Sequence, residues 1–213
     1  MSVVLSSQLL KLGSTFVSYN IATSILLPPI SSNLQEYWLA GNGVFLRGAR
    51  NGIHVCAHLC ALNIPGLPKL EPYFNFTFPC VPPHLLSTML ELSVAAGQEE
   101  VLFYLAFTEG IWQLLIPDQI ATEYSVTPTN PLDPFYESAI IEVHSHHQME
   151  AEFSFTDDKE ESGKFRLFAV LGEIFTSSTI SVRVGIYNHF QVLPASKVFQ
   201  LPPGITDANR FVL

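Results

Sequence analysis

Pro65, Pro68, Pro72, Pro79, Pro82 and Pro83 crowd into one short stretch of the chain. Proline has no amide proton and a fixed φ, so neither a continuous helix nor a central strand can run through them. Residues 63–82 therefore read as a connection between two parts that fold by different patterns. A length of 213 residues allows this, since a domain takes about 150 residues on average. The expected organisation is a small β-rich N-terminal domain over residues 1–62, the connection, and a second domain over residues 83–213.

In the first part, residues 37–40 and 44–47 flank Gly41-Asn42-Gly43 and predict a hairpin. Arg50-Asn51-Gly52 is a second turn signal, and residues 53–59 a further strand. Past Pro83 the pattern changes. Leu85, Leu86, Met89, Leu90 and Val94 recur at helical spacing, and Gly97 suits the end of that helix. Residues 101–107 predict a buried strand, residues 110–116 its hairpin partner, and residues 122–127 a third strand. Residues 130–134 predict a loop, residues 139–146 a strand, and residues 154–161 a short helix. Residues 165–172 and 180–187 predict two more strands, and the tail from Pro194 a loosely packed end. The second domain is thus expected to be α+β, with a mixed, mainly antiparallel sheet flanked by helices.

Composition removes several classes. Hydrophobic residues make up 48% of the chain and charged residues 14%, which excludes a disordered polymer. A net charge of −9 lacks the basic footprint that phosphate contacts require, so no nucleic-acid partner is expected. Three cysteines do not make a disulfide framework. Cys56 and Cys60, beside His54 and His58, match no common zinc box and read as structural thiols. The apolar run 21–30 is short and broken by Pro28-Pro29, whereas a spanning helix needs about 20 residues. The single Lys of residues 1–13 follows the apolar residues instead of preceding them, unlike an export signal. A cytoplasmic protein with no membrane partner is expected.

One segment carries chemistry. His144 and His146 sit two apart on a predicted strand, so their rings project from one face. Neutral imidazoles so placed can share a zinc ion. Asp157, eleven residues after His146, can add an oxygen when the chain turns back. Two His, one carboxylate and an open fourth position is the pattern of a catalytic zinc site. Ser154 and Asp157 also fit a helix capping box, a role compatible with the first. Glu142 shares the parity of the two His and reads as either their hydrogen-bond partner or a solvent-facing residue.

The string His144-x-His146-x(7)-Ser154-x(2)-Asp157 resembles the signature of the JAB/MPN+ (JAMM) metalloproteases. The resemblance spans about residues 83–190. More narrowly, residues 42–47, the proline-rich link and residues 144–158 are similar to the PRTRC system protein A group of bacterial JAB proteins. The resemblance implies an MPN-type fold and a Zn2+-dependent peptidase or isopeptidase. It implies a ubiquitin-like or sulfur-carrier-like protein as substrate, with components resembling activating enzymes in the same system. By the same resemblance His144, His146 and Asp157 are metal ligands and Ser154 steadies the oxyanion. An upstream Glu serves as general base.

That acid is Glu99 or Glu100, and register favours Glu100, which puts Phe103 where the family has Gly. His147 stands where many relatives have Pro and is expected to be solvent-exposed. The other class of function is a non-catalytic MPN-type binding or scaffold module, whose members have lost the ligands that this chain keeps. A nucleobase deaminase would need His-x-Glu and Pro-Cys-x-x-Cys, which are absent.

Overall fold

The computed structural model describes residues 16–31, 34–130 and 133–210. Residues 1–13, and Pro131 and Leu132 of the expected 130–134 loop, lie outside the described residues. The chain divides into two compact units, residues 1–75 and 76–213. The fold is mixed α+β and dominated by curled mixed sheets.

The first unit is a sheet of five strands in sequence order: β1 (Val17–Ile21), β2 (Gln35–Ala40), β3 (Gly43–Arg50), β4 (Ile53–Ala61) and β5 (Tyr73–Phe76). β1 and β2 run parallel, while β2–β3 and β3–β4 are antiparallel hairpins. Trp38, Phe45, Cys56 and Leu70 meet in its core. Much of the proline-rich stretch belongs to this unit. Asn42 donates from Nδ2 to the Leu70 carbonyl (2.8 Å) and accepts from the Leu70 amide (2.9 Å), tying the stretch to the hairpin turn. Its only strand, β5, is at the sheet edge, where proline neighbours cost no ladder bonds.

Of the thiols, Cys56 alone is buried, and burial pushes it up to about 11. Cys60 is exposed, so the expectation of a buried structural thiol fails there; Cys80 is half-buried. Cys60 lies where β4 has already left the core: residues 58–61 are exposed.

The second unit opens with α1 (Pro83–Ala96), started by Pro83 at its first turn and closed by Gly97 at φ 73°. Its buried stripe is Leu86, Met89 and Ser93, narrower than the apolar pattern suggests; Val94 is exposed. The main sheet contains β6 (Leu102–Thr108), β7 (Ile111–Leu115), β10 (Ile141–His146), β11 (Lys164–Gly172), β12 (Thr179–Tyr187) and β13 (His189–Leu193). Their spatial order is β13-β12-β11-β10-β6-β7, with β14 (Thr206–Asp207) beside β12. β10–β11 and β12–β14 are parallel, and the other pairs antiparallel. Between β10 and β11 the chain crosses over through α3 (Phe155–Glu161).

Two expectations for this unit change. Residues 122–127 do not form one strand. They turn between β8 (Gln119–Ala121) and β9 (Val126–Pro128), where the Thr122 hydroxyl accepts from the Ser125 and Tyr124 amides. A short helix, α2 (Pro134–Ser138), follows, with Asp133 capping the Phe135 amide at 2.7 Å. The tail is not loose either. Val198 and Phe199 are buried, and a bridge between Val81 and Phe199 holds them through Val81 N to Val198 O (2.8 Å) and Gln200 N to Val81 O (2.9 Å). Among the described residues, no helix is long and apolar enough to cross a membrane.

Candidate metal centre

β10 lies inside the sheet, paired with β6 on one side and β11 on the other, so its C-terminal residues are held on both edges. Strand alternation puts His144 and His146 on one face. Their Nε2 atoms lie 3.1 Å apart, and both residues are 7% exposed. The crossover then returns α3 toward this end of β10. Asp157, in its first turn, places Oδ1 3.1 Å from His144 Nε2.

The capping box forms, and it is compatible with the other reading of Asp157, because the carboxylate divides its oxygens. Oδ2 accepts from the Ser154 amide at 2.5 Å, and the Ser154 hydroxyl accepts from the Asp157 amide at 3.3 Å, completing the capping box. Oδ1 is left to face the histidines. The cap thus fixes the carboxylate that completes the cluster.

The two imidazoles differ. His146 Nδ1 lies 3.3 Å from the Glu150 carbonyl, an acceptor, so Nδ1 carries the proton and Nε2 is a bare lone pair. Burial, then the neighbouring His144, lowers His146 to about 4. His144 is raised even though burial opposes it, because its hydrogen bond and charge pairing with Asp157 favour the imidazolium. Asp157 is held well below the usual carboxylate range. Burial works against this, and hydrogen bonds from His144 and Ser154 outweigh it.

The three ligand atoms lie within 4.8 Å of one another. Tetrahedral zinc with bonds of 2.0–2.1 Å separates its ligand atoms by about 3.3 Å. The two 3.1 Å separations at His144 are close to that edge. Two nitrogens and a carboxylate oxygen are also the donor types zinc takes. These three side chains are a group that could hold a divalent metal.

Glu100 is 4% exposed, whereas Glu99 is exposed. Glu100 Oε1 lies 3.8 Å from His146 Nε2. Burial, with the nearby charges of Asp157 and Glu160 acting against His144, raises it to about 7. Its backbone is fixed by its own amide bond to the Thr122 carbonyl (2.9 Å) and by its neighbour Val101. The Val101 amide donates to Ser145 Oγ (2.9 Å), and the Val101 carbonyl accepts from the Ser145 amide (3.1 Å). A cleft opens beside His144 and Asp157, walled by Glu100, by Tyr124 and Ser125 of the β8–β9 turn, and by Thr156 and Glu160 of α3.

Two expected roles change. Glu142 is not a partner of the histidines; it pairs with Lys164 (3.4 Å) and Arg166 (3.3 Å), which the parallel β11 brings alongside. His147 is buried at 4% exposure, not solvent-exposed, and its Nε2 has no hydrogen-bond partner among the described residues. The cause is the path of the chain after His146. It folds onto the β11–β12 connection, where the Ile174 amide donates to the His147 carbonyl and the Glu173 amide to that of Met149, both at 2.8 Å.

Sequence reasoning passed over Ser145, Gly172 and Arg183. Ser145 carried a usable signal, a lone hydroxyl between two histidines on a strand otherwise apolar toward its other face. Trp112 and Phe107 are half-buried in an aromatic cluster with Phe76 and Phe78, while Phe103 and Tyr104 are in the core. Comparison of the chain with protein-family models gives no match, and comparison with curated proteins gives none either.

Proposed function

We propose that the second unit is a zinc-dependent metallopeptidase or isopeptidase of the JAB/MPN+ type, acting at the C-terminus of a ubiquitin-like protein. The observation that carries this reading is the convergence of His144 Nε2, His146 Nε2 and Asp157 Oδ1 beside a cleft that also contains the buried Glu100. The substrate class rests on the resemblance of the His144-to-Asp157 spacing to that family.

His144, His146 and Asp157 would hold the metal. When bound, zinc supplies a Lewis acid that polarises a carbonyl and acidifies water near neutral pH. The chain's own groups do the rest. Glu100, raised to about 7, can take a proton from water and return it to the departing amine at the same pH. The Ser154 hydroxyl uses a lone pair for the Asp157 amide, which leaves its O–H free to donate to a developing oxyanion. The cap that seats Asp157 thereby also orients the hydroxyl.

The test is metal content by elemental mass spectrometry, for wild type beside His144→Ala and His146→Ala. About one zinc per chain, lost in both variants, supports the centre; cleavage of a ubiquitin-like fusion then tests the reaction. No zinc in wild type after reconstitution at neutral pH overturns the reading and leaves a non-catalytic binding module.

A further inference from the structure

Arg183, on β12, is buried at 4% exposure and serves neither the ligand set nor the cleft lining. Its guanidinium lies between two aromatic faces, 3.9 Å from the Phe153 ring centroid and 4.0 Å from that of Phe190. Its Nε donates to Glu161 Oε2 at 2.7 Å, with the second fork nitrogen 2.6 Å from the same oxygen. The third nitrogen donates to Asp158 Oδ1 at 2.6 Å.

Three of these four partners belong to one segment. Phe153 precedes the cap residue of α3, Asp158 follows the ligand Asp157, and Glu161 ends the helix. One side chain therefore grips the lead-in, the first turn and the last turn of α3. A seven-residue helix has little stability of its own, so its position depends on such contacts. A planar fork stacked between rings fixes direction as well as distance, which an ammonium does not.

We infer that Arg183 is the positioning residue of the metal centre: it holds α3 at the distance and angle that bring Asp157 Oδ1 to the two histidines. This rests on the metal reading above. The sign of the expected effect separates positioning from charge. Arg183 is a cation near the site, so by Coulomb's law alone its removal should tighten binding of a divalent metal. Loss of positioning loosens it.

The experiment measures zinc affinity by chelator competition for wild type, Arg183→Met, Arg183→Lys and Arg47→Met. It also records the visible spectrum of each Co(II)-loaded protein. Arg47→Met is the matched control, since it breaks a buried Arg–Glu pair in the first unit. Expected are zinc binding weaker by about 10–100-fold in Arg183→Met, as for other residues that orient metal ligands, and an intermediate loss in Arg183→Lys. The Co(II) spectrum should change in both, and the control should bind as wild type does. Binding by Arg183→Met as tight as wild type or tighter overturns the inference and leaves the metal reading standing. Should Arg183→Met not fold, Arg183→Lys decides by the same readouts, with unchanged affinity and spectrum counting against positioning. A wild type that binds no zinc overturns the metal reading itself.

Discussion

A methyl group on Gly172 would collide with the backbone nitrogen of Ala151. The end of β11 and the loop after β10 approach so closely that only a missing side chain allows it. The same loop carries the Glu150 carbonyl that accepts from His146 Nδ1. Gly172→Ala is therefore expected to push the loop away and release the His146 ring. On the proposed metal reading, affinity for zinc should fall by about 10–100-fold, the usual cost of losing the partner of a ligating histidine. The strain itself should cost about 1–3 kcal/mol of stability. Ring-nitrogen NMR shifts report the tautomer directly, and a His146 that keeps its Nδ1 proton in the variant would contradict the link.

Glu99 and Glu100 separate cleanly. Glu100 is buried within 3.8 Å of His146, and Glu99 is exposed. Glu100→Gln should retain the metal and lose about 10²–10⁴ of the turnover, the range for a general acid–base. Glu99→Gln should leave turnover within about twofold, as surface changes usually do. Steady-state cleavage with parallel metal analysis checks both. Activity lost in Glu99→Gln and kept in Glu100→Gln would shift the base by one residue.

The candidate site was legible where its partners are close in sequence. Strand alternation announced His144 and His146, and the cap spacing announced Ser154 and Asp157. What holds them was not legible, because those contacts are long-range. Arg183 meets Glu161 and Asp158 across 22 and 25 residues, and Ser145 meets Val101 across 44. No local pattern encodes such pairs. The strands β6, β10, β11 and β12 were readable from continuous apolar runs or alternation. The 122–127 segment misled because its β-branched residues suit a strand, while Thr122 spends its hydroxyl on a turn.

The tail gives the same lesson as a measurable quantity. Pro202, Pro203 and Gly204 read as a loose end, yet Phe199 is 2% exposed and bridges to Val81. Phe199→Ala should cost about 3–5 kcal/mol, the range for a buried Phe. An unpacked tail would give less than about 0.5 kcal/mol. Equilibrium denaturation in urea distinguishes the two.

The first unit has an acid-sensitive pair. Glu36 accepts from the Ser31 amide (2.8 Å) and hydroxyl (2.6 Å), from Trp38 Nε1 (3.0 Å) and from Arg47 Nε (2.8 Å). Burial alone would raise its carboxyl, but these donors outweigh burial and lower it from 4.5 to about 2. In the unfolded chain the group titrates near the ordinary value, so the unfolded state binds the proton more readily. The stabilisation is therefore complete above about pH 4.5 and is lost as pH falls toward 2. The shift corresponds to on the order of 3 kcal/mol. Glu36→Gln should destabilise the unit at pH 7, and the gap to wild type should narrow as pH falls from 5 to 2. Thermal unfolding of both proteins across that range checks the sign: a gap that widens toward acid would mean that the carboxylate is not held by these donors.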